Sequence, residues 1–149
     1  MPRGVLLVAL ACSLAVVLGC SGSGTTAKGK VLFEGKAVSG AEVAFIAKEK
    51  GGGKGGYSGK TDAEGNFEIR ATGTKQIPPG TYSVVVSKWV DRKTGKDVTD
   101  AEEMEQMRAR GDLRNLLPTK YSEASTSNLS AEIKAGENVL PPFDLKKSP

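Results

Sequence analysis

The chain has 149 residues, of which 38% are hydrophobic and only 5% aromatic, with 19 glycines and 7 prolines; this suits a single domain of short strands and tight turns better than a helical bundle. Its net charge of +4 arises from 21 basic and 17 acidic residues with both signs dispersed, and no basic stripe interleaved with aromatics appears, which argues against nucleic acid as a partner. There is no histidine, so histidine-based acid–base chemistry and most zinc and copper sites are removed and no cofactor is expected.

The two cysteines, Cys12 and Cys20, both fall in the first twenty residues and leave the body of the chain without a disulfide. Arg3 precedes an almost continuous apolar run from Val5 to Leu18. The run is shorter than the roughly 20 residues a membrane-spanning helix needs, and it ends on glycine and serine with no stop-transfer charges. It reads as a secretory signal. Val17-Leu18-Gly19-Cys20 resembles the lipobox of bacterial lipoproteins: an aliphatic residue, a tolerated one, a small one, then cysteine. The resemblance implies that residues 1–19 are a signal peptide, that Cys20 becomes the first residue, and that its sulfur carries a diacylglyceryl group. A lipid membrane is then the first expected partner, since two or more acyl chains anchor stably where one does not. Cys12 belongs to the discarded segment. Residues 20–27 read as a flexible tether, and Ser21 in place of aspartate favours the outer membrane, facing the periplasm or the cell surface.

Along the body, Val31 and Phe33 share one face of a strand that Glu34-Gly35-Lys36 turns back. Ser39-Gly40 marks a second turn, after which Ala41, Val43 and Phe45 point one way. GGGKGG at 51–56 reads as a mobile hairpin loop before the strand YSGKT. Asp62 to Gly65 form a turn leading to the inward pair Phe67 and Ile69. Asp62-x-Glu64-x-Asn66 looks like the start of a calcium loop but lacks the later ligands, so a plain turn is expected. Pro78-Pro79-Gly80 introduces TYSVVVSKWV, predicted to be one central strand with Tyr82, Val84 and Val86 on one face and Ser83, Val85, Ser87 and Trp89 on the other. Thr99 and Glu102 suggest a capping box for a short helix with a stripe of Ala101, Met104 and Met107, ended by Gly111. Leu129, Ala131 and Ile133 then alternate, Lys134 to Glu137 read as a hairpin turn, and Pro141-Pro142 argue that the last strand is an edge strand or starts late. The expectation is an all-β, Greek-key β-sandwich of about seven strands, transthyretin-like or immunoglobulin-like, spanning residues 28–149 with one charged, helical insertion at about 91–118.

Three stretches carry a family resemblance. Gly35, Lys36, Gly40, Ala41 and Val43 fill G-K-x-x-x-G-A-x-V; Thr61, Asp62, Gly65 and Phe67 fill T-D-x-x-G-x-F; Pro79, Gly80, Tyr82, Val84 and Val86 fill P-G-x-Y-x-V-x-V. Together they resemble the carboxypeptidase regulatory-like domain, a transthyretin-like sandwich of secreted and surface proteins, over residues 28–90. The later LLPTKYSEASTSNLSAEI is similar to small planctomycete lipoproteins sharing that domain. The resemblance implies that Gly35, Gly40, Asp62, Gly65, Phe67, Pro79, Gly80 and Tyr82 are turn or core residues and that none is catalytic.

The function expected is a non-catalytic, lipid-anchored domain of the cell envelope that binds or braces an envelope protein or a glycan. A carbohydrate-binding surface module is the alternative, with Tyr57, Tyr82, Trp89 and Tyr121 as the available aromatics, Tyr82 and Trp89 being better suited to the core. A small hydrolase is disfavoured: the related hydroxyisourate hydrolases need histidines, and only a serine–lysine arrangement, such as Ser125, Thr126 or Ser127 with Lys120 or Lys134, remains. A lysine–asparagine isopeptide between the first and last strands would use Lys30 and Asn138.

Overall fold

A computed structural model describes residues 24–48, 56–70 and 76–147. Cys12, Cys20, the apolar leader and most of GGGKGG lie outside them. The described chain is all-β with one short helix, and among the described residues no helix is long and apolar enough to cross a membrane.

The first strand, β1 (Thr26–Phe33), starts earlier than the expected tether allows, because Thr25 and Ala27 are already buried. Residues 26 and 27 therefore belong to the folded body. Glu34 and Gly35 both take positive φ, 51° and 80°, the geometry of a two-residue hairpin turn, and return the chain into β2 (Lys36–Ala37). β3 (Glu42–Ala47) pairs antiparallel with β4 (Tyr57–Lys60), and β5 (Asn66–Arg70) pairs antiparallel with β1.

The long apolar stretch does not form one strand. β6 (Gly80–Ser87) is interior in its sheet, as two apolar faces require, but pairing with β3 ends at Glu42↔Ser87. The Lys88 N–H donates to the Asn115 side-chain oxygen, and the Lys88 carbonyl accepts from the Leu116 N–H. Those bonds turn the chain away from β3. Trp89 thus opens a separate strand, β7 (Trp89–Asp91), paired with β8 (Leu113–Asn115), with helix α1 (Ala101–Arg110) between them. The helix begins one residue later than the capping box placed it. Asp100, at φ −81° and ψ 132°, is its N-cap and accepts from the Glu103 N–H at 2.8 Å, while Gly111 at φ 73° closes it.

β9 (Ser130–Ile133) pairs with β6, whereas β10 (Glu137–Val139) pairs parallel with β1. Lys134 to Glu137 are therefore a crossing between sheets and not a hairpin. Asn138 explains this: its side-chain oxygen accepts from the Lys134 N–H, and its amide donates to the carbonyls of Lys134, Gly136 and Thr26. The crossing is thereby tied to β1, and β11 (Phe143–Leu145) continues along the same flank after Pro141-Pro142.

The described residues form eleven strand segments where about seven were expected. A mixed five-stranded sheet has β1 at its centre, with β10 and β11 on one flank and β5 and β2 on the other. An antiparallel four-stranded sheet runs β4-β3-β6-β9. Inward side chains of both sheets join one cluster, in which Val31, Val43, Phe45, Ile69, Val84, Val86 and Leu145 are fully buried. Burial of each such side chain contributes roughly 1.5–3 kcal/mol. Aromatic contacts run through it from Tyr57 to Tyr82, Phe45, Phe67 and Phe143, with centroids 6.0–6.3 Å apart. Val90, Val98 and Leu113 are buried outside this cluster and form the small core of the β7–α1–β8 insertion.

Candidate functional site

Gly40 takes φ 67° and Gly65 φ 79°, and a Cβ on Gly65 would lie 2.7 Å from the Val31 carbonyl oxygen. Asp62 organises its turn: one carboxylate oxygen accepts from the N–H groups of Glu64 and Asn66, the other from the Asn66 amide. That amide, with the backbone donors, holds the Asp62 carboxyl below the usual range. Its lone pairs are thus engaged by the turn, and among the described residues no three His, Cys, Asp or Glu side chains cluster as a metal would require. Phe67 is buried, and Pro79 lies exposed just before Gly80 begins β6. The buried Tyr82 hydroxyl donates to the Pro78 carbonyl at 2.7 Å, and burial pushes its phenol upward.

Two of the three hydroxyls weighed for serine–lysine chemistry, those of Thr126 and Ser127, are used structurally. Thr126 donates to the Lys120 carbonyl and Ser127 to the Val84 carbonyl, so neither is aimed at a lysine amine. Lys30 and Asn138 are not brought opposite one another. Asn138 stands beside Ala27 in the β1–β10 register, Lys30 faces Asn66 on the other flank, and the Asn138 amide is spent on three carbonyls. Of the aromatics, Tyr82 and Tyr121 are buried and Tyr57 is half-buried with its hydroxyl on the Gln76 carbonyl. Trp89, expected in the core, is only half-buried at the base of the insertion, with the Arg108 guanidinium 5.8 Å from its ring centroid.

Three concave surfaces among the described residues bear on function. One, about 610 Å³, lies on the outer face of β1 and β5. Its charges largely satisfy each other: Lys28 bridges Glu137 and Glu68, and Glu68 also binds Arg70 at 2.9 Å. The Glu137 contact holds the Lys28 amine above its ordinary value, and the Arg70 contact holds Glu68 below its own. The second, about 460 Å³, runs between β9 and β10–β11 beside Val139, which is 79% exposed. The third, about 210 Å³, sits where the insertion meets the sheet and is lined by Glu42, Lys60, Ser87, Trp89, Thr99 and Met104. In the sequence Trp89 is one of four available aromatics and better suited to the core, and neither Glu42 nor Lys60 is marked for a site. Their alternation in β3 and β4 marks them only as outward-facing, and which outward residues converge is a matter of sheet register.

No family model matches the chain, and no curated protein matches it.

Proposed function

We propose that the chain is a non-catalytic, lipid-anchored domain of a bacterial cell envelope that binds or braces another envelope component, either a protein or a glycan. The anchor is Cys20, and the body is a transthyretin-like, Greek-key β-sandwich of the carboxypeptidase regulatory-like kind. The observation that carries the reading is the sequence Val17-Leu18-Gly19-Cys20 at the end of an apolar leader, followed closely by a strand that begins at Thr26. A lipid on Cys20 and a fixed β1 leave only Ser21 to Thr25 between them, which span at most about 20 Å when extended. The domain would thus be held close to the membrane surface. Support for the sandwich comes from the two sheets contributing to one core, with β6 interior and β11 at an edge.

Expression of the full chain in a lipoprotein-processing bacterium, with mass spectrometry of the mature N-terminus, tests the anchor. An acylated Cys20 as first residue is expected, and Cys20→Ala should move the protein from the membrane to the soluble fraction. An unmodified Cys20, or cleavage at another bond, would refute it. Separation of inner and outer membranes then reads the expected outer-membrane placement.

A further inference from the structure

The pocket between the insertion and the four-stranded sheet combines features that the other two surfaces lack. Ser87 is 8% exposed and lines this pocket; among the described residues its hydroxyl makes no hydrogen bond, and it is not sealed from solvent, since the buried side-chain atom left without a partner there is the Asn115 amide nitrogen. A hydroxyl open to the pocket and free of protein partners can exchange water for a ligand oxygen or hydroxyl. Glu42 and Lys60 stand directly opposite each other in the β3–β4 register, and among the described residues they make no ion pair. They supply one acceptor and one donor of opposite charge, so the pocket carries no net charge from that pair. Thr99 adds a second hydroxyl from the residues leading into α1. Trp89 and Met104 supply the apolar wall, and Arg108 over the indole helps keep the ring in place.

An aromatic wall beside several solvent-reachable donors and acceptors, with the Glu42 and Lys60 charges cancelling, suits a ligand that is apolar on its ring face, hydroxylated at its rim and neutral. The volume of about 210 Å³ is below the roughly 300–1,000 Å³ that encloses drug-sized ligands. It has room for one ring and not for a chain. We propose that this pocket binds a single neutral pyranose ring, as a free sugar or as the end of a glycan, with the ring against Trp89 and its hydroxyls on Glu42, Lys60 and Ser87. The proposal rests on the binding role inferred above but not on the lipid anchor, which is read by mass and not by ligand titration.

Trp89 is the single tryptophan of the chain, so intrinsic fluorescence reports on this pocket alone. The full chain, purified in a detergent without a sugar headgroup, is titrated with glucose, galactose, mannose and N-acetylglucosamine, with glucuronate and choline as charged comparisons. The expected result is a saturable change in Trp89 emission, with protection from acrylamide quenching, for at least one neutral sugar. Glu42→Gln should weaken that sugar about tenfold, since a hydrogen bond to a charged acceptor is lost. Thr99→Val, at an exposed position, should weaken it by a smaller factor and serves as the second variant if Glu42→Gln loses its β circular dichroism. No saturable response to any neutral sugar would overturn the proposal, as would a response to glucuronate or choline alone. So would sugar binding that folded Glu42→Gln and Thr99→Val both leave unchanged.

Discussion

Gly29 shows how much a single missing Cβ can matter. It faces inward from β1, between buried Ala27 and Val31, and a Cβ there would fall 2.6 Å from the Phe67 ring. That ring cannot simply move aside, because it lies edge-on to Phe45 and stacked on Phe143. Gly29→Ala should destabilise the fold by about 1–3 kcal/mol, the range for overpacking a filled core. Gly24→Ala, with nothing within 4 Å of its Cβ, is the matched control and should change stability by less than about 0.5 kcal/mol. Urea unfolding of both variants checks the difference; equal midpoints would show that the Phe67 contact is not what requires glycine. In the sequence Gly29 looks like any glycine near a strand start, since the constraint comes from a residue on the neighbouring strand. Asp62 and Gly65 were legible because the partners they need lie within four residues.

The insertion is where elements behave semi-independently. α1 buries none of its residues fully, and the apolar side chains around it, Val90, Val98 and Leu113, stay outside the main cluster. Its order depends on local devices: the Asp100 cap, acidic Glu102 and Glu103 in its first turn, Arg108 and Arg110 in its last, and the Lys88–Asp97 ion pair at 3.3 Å. Asp100→Ala should cost α1 about 1 kcal/mol. Hydrogen exchange is expected to show faster exchange of the α1 amides with little change in β3 and β6, because unfolding of the insertion need not open the larger core. Uniform acceleration across both would show instead that the insertion and the sheets unfold as one unit. The helix and its terminating glycine could be read from propensity and charge order. The cap was misplaced by one residue because Thr99 and Asp100 are both good caps and the choice depends on where the preceding chain lets the helix start.

At the scale of the whole molecule, ionisable groups set the pH range of stability. Asp62, Glu68, Asp91 and Asp144 are all held below their ordinary values, by the Asn66 amide, the Arg70 guanidinium, the Lys93 and Thr94 N–H groups and the Lys146 amine respectively. Each contributes stability that is present above its unfolded value, about 4, and is lost as pH falls through its lower folded value. Lys28 and Tyr82 are raised, by Glu137 and by burial, so their contributions are present below about 10 and lost as pH rises through their folded values. Urea midpoints measured across pH should form a plateau near neutrality with losses beneath about 4 and above about 10. Asp62→Asn should flatten the acid limb; an unchanged acid limb in that variant would remove Asp62 from the account.

The sequence by itself determined the all-β class, the single helical insertion, the turns at Gly35, Gly40 and Gly65 and the interior strand β6. It also carries the whole case for an exported, lipid-anchored chain, since Cys20 lies outside the described residues. These features are local: they depend on residue type, on a period of two, and on partners a few positions away. Tertiary structure alone decided that Lys134 to Glu137 cross between sheets, that Trp89 leaves the line of β6, and that Glu42, Lys60 and Ser87 meet beside it. The physical reason is the same each time. Asn138 closes its turn against Thr26, at the far end of the chain, and Asn115 turns Lys88 from a later strand. Such long-range hydrogen bonds choose between connections that local propensity leaves equal.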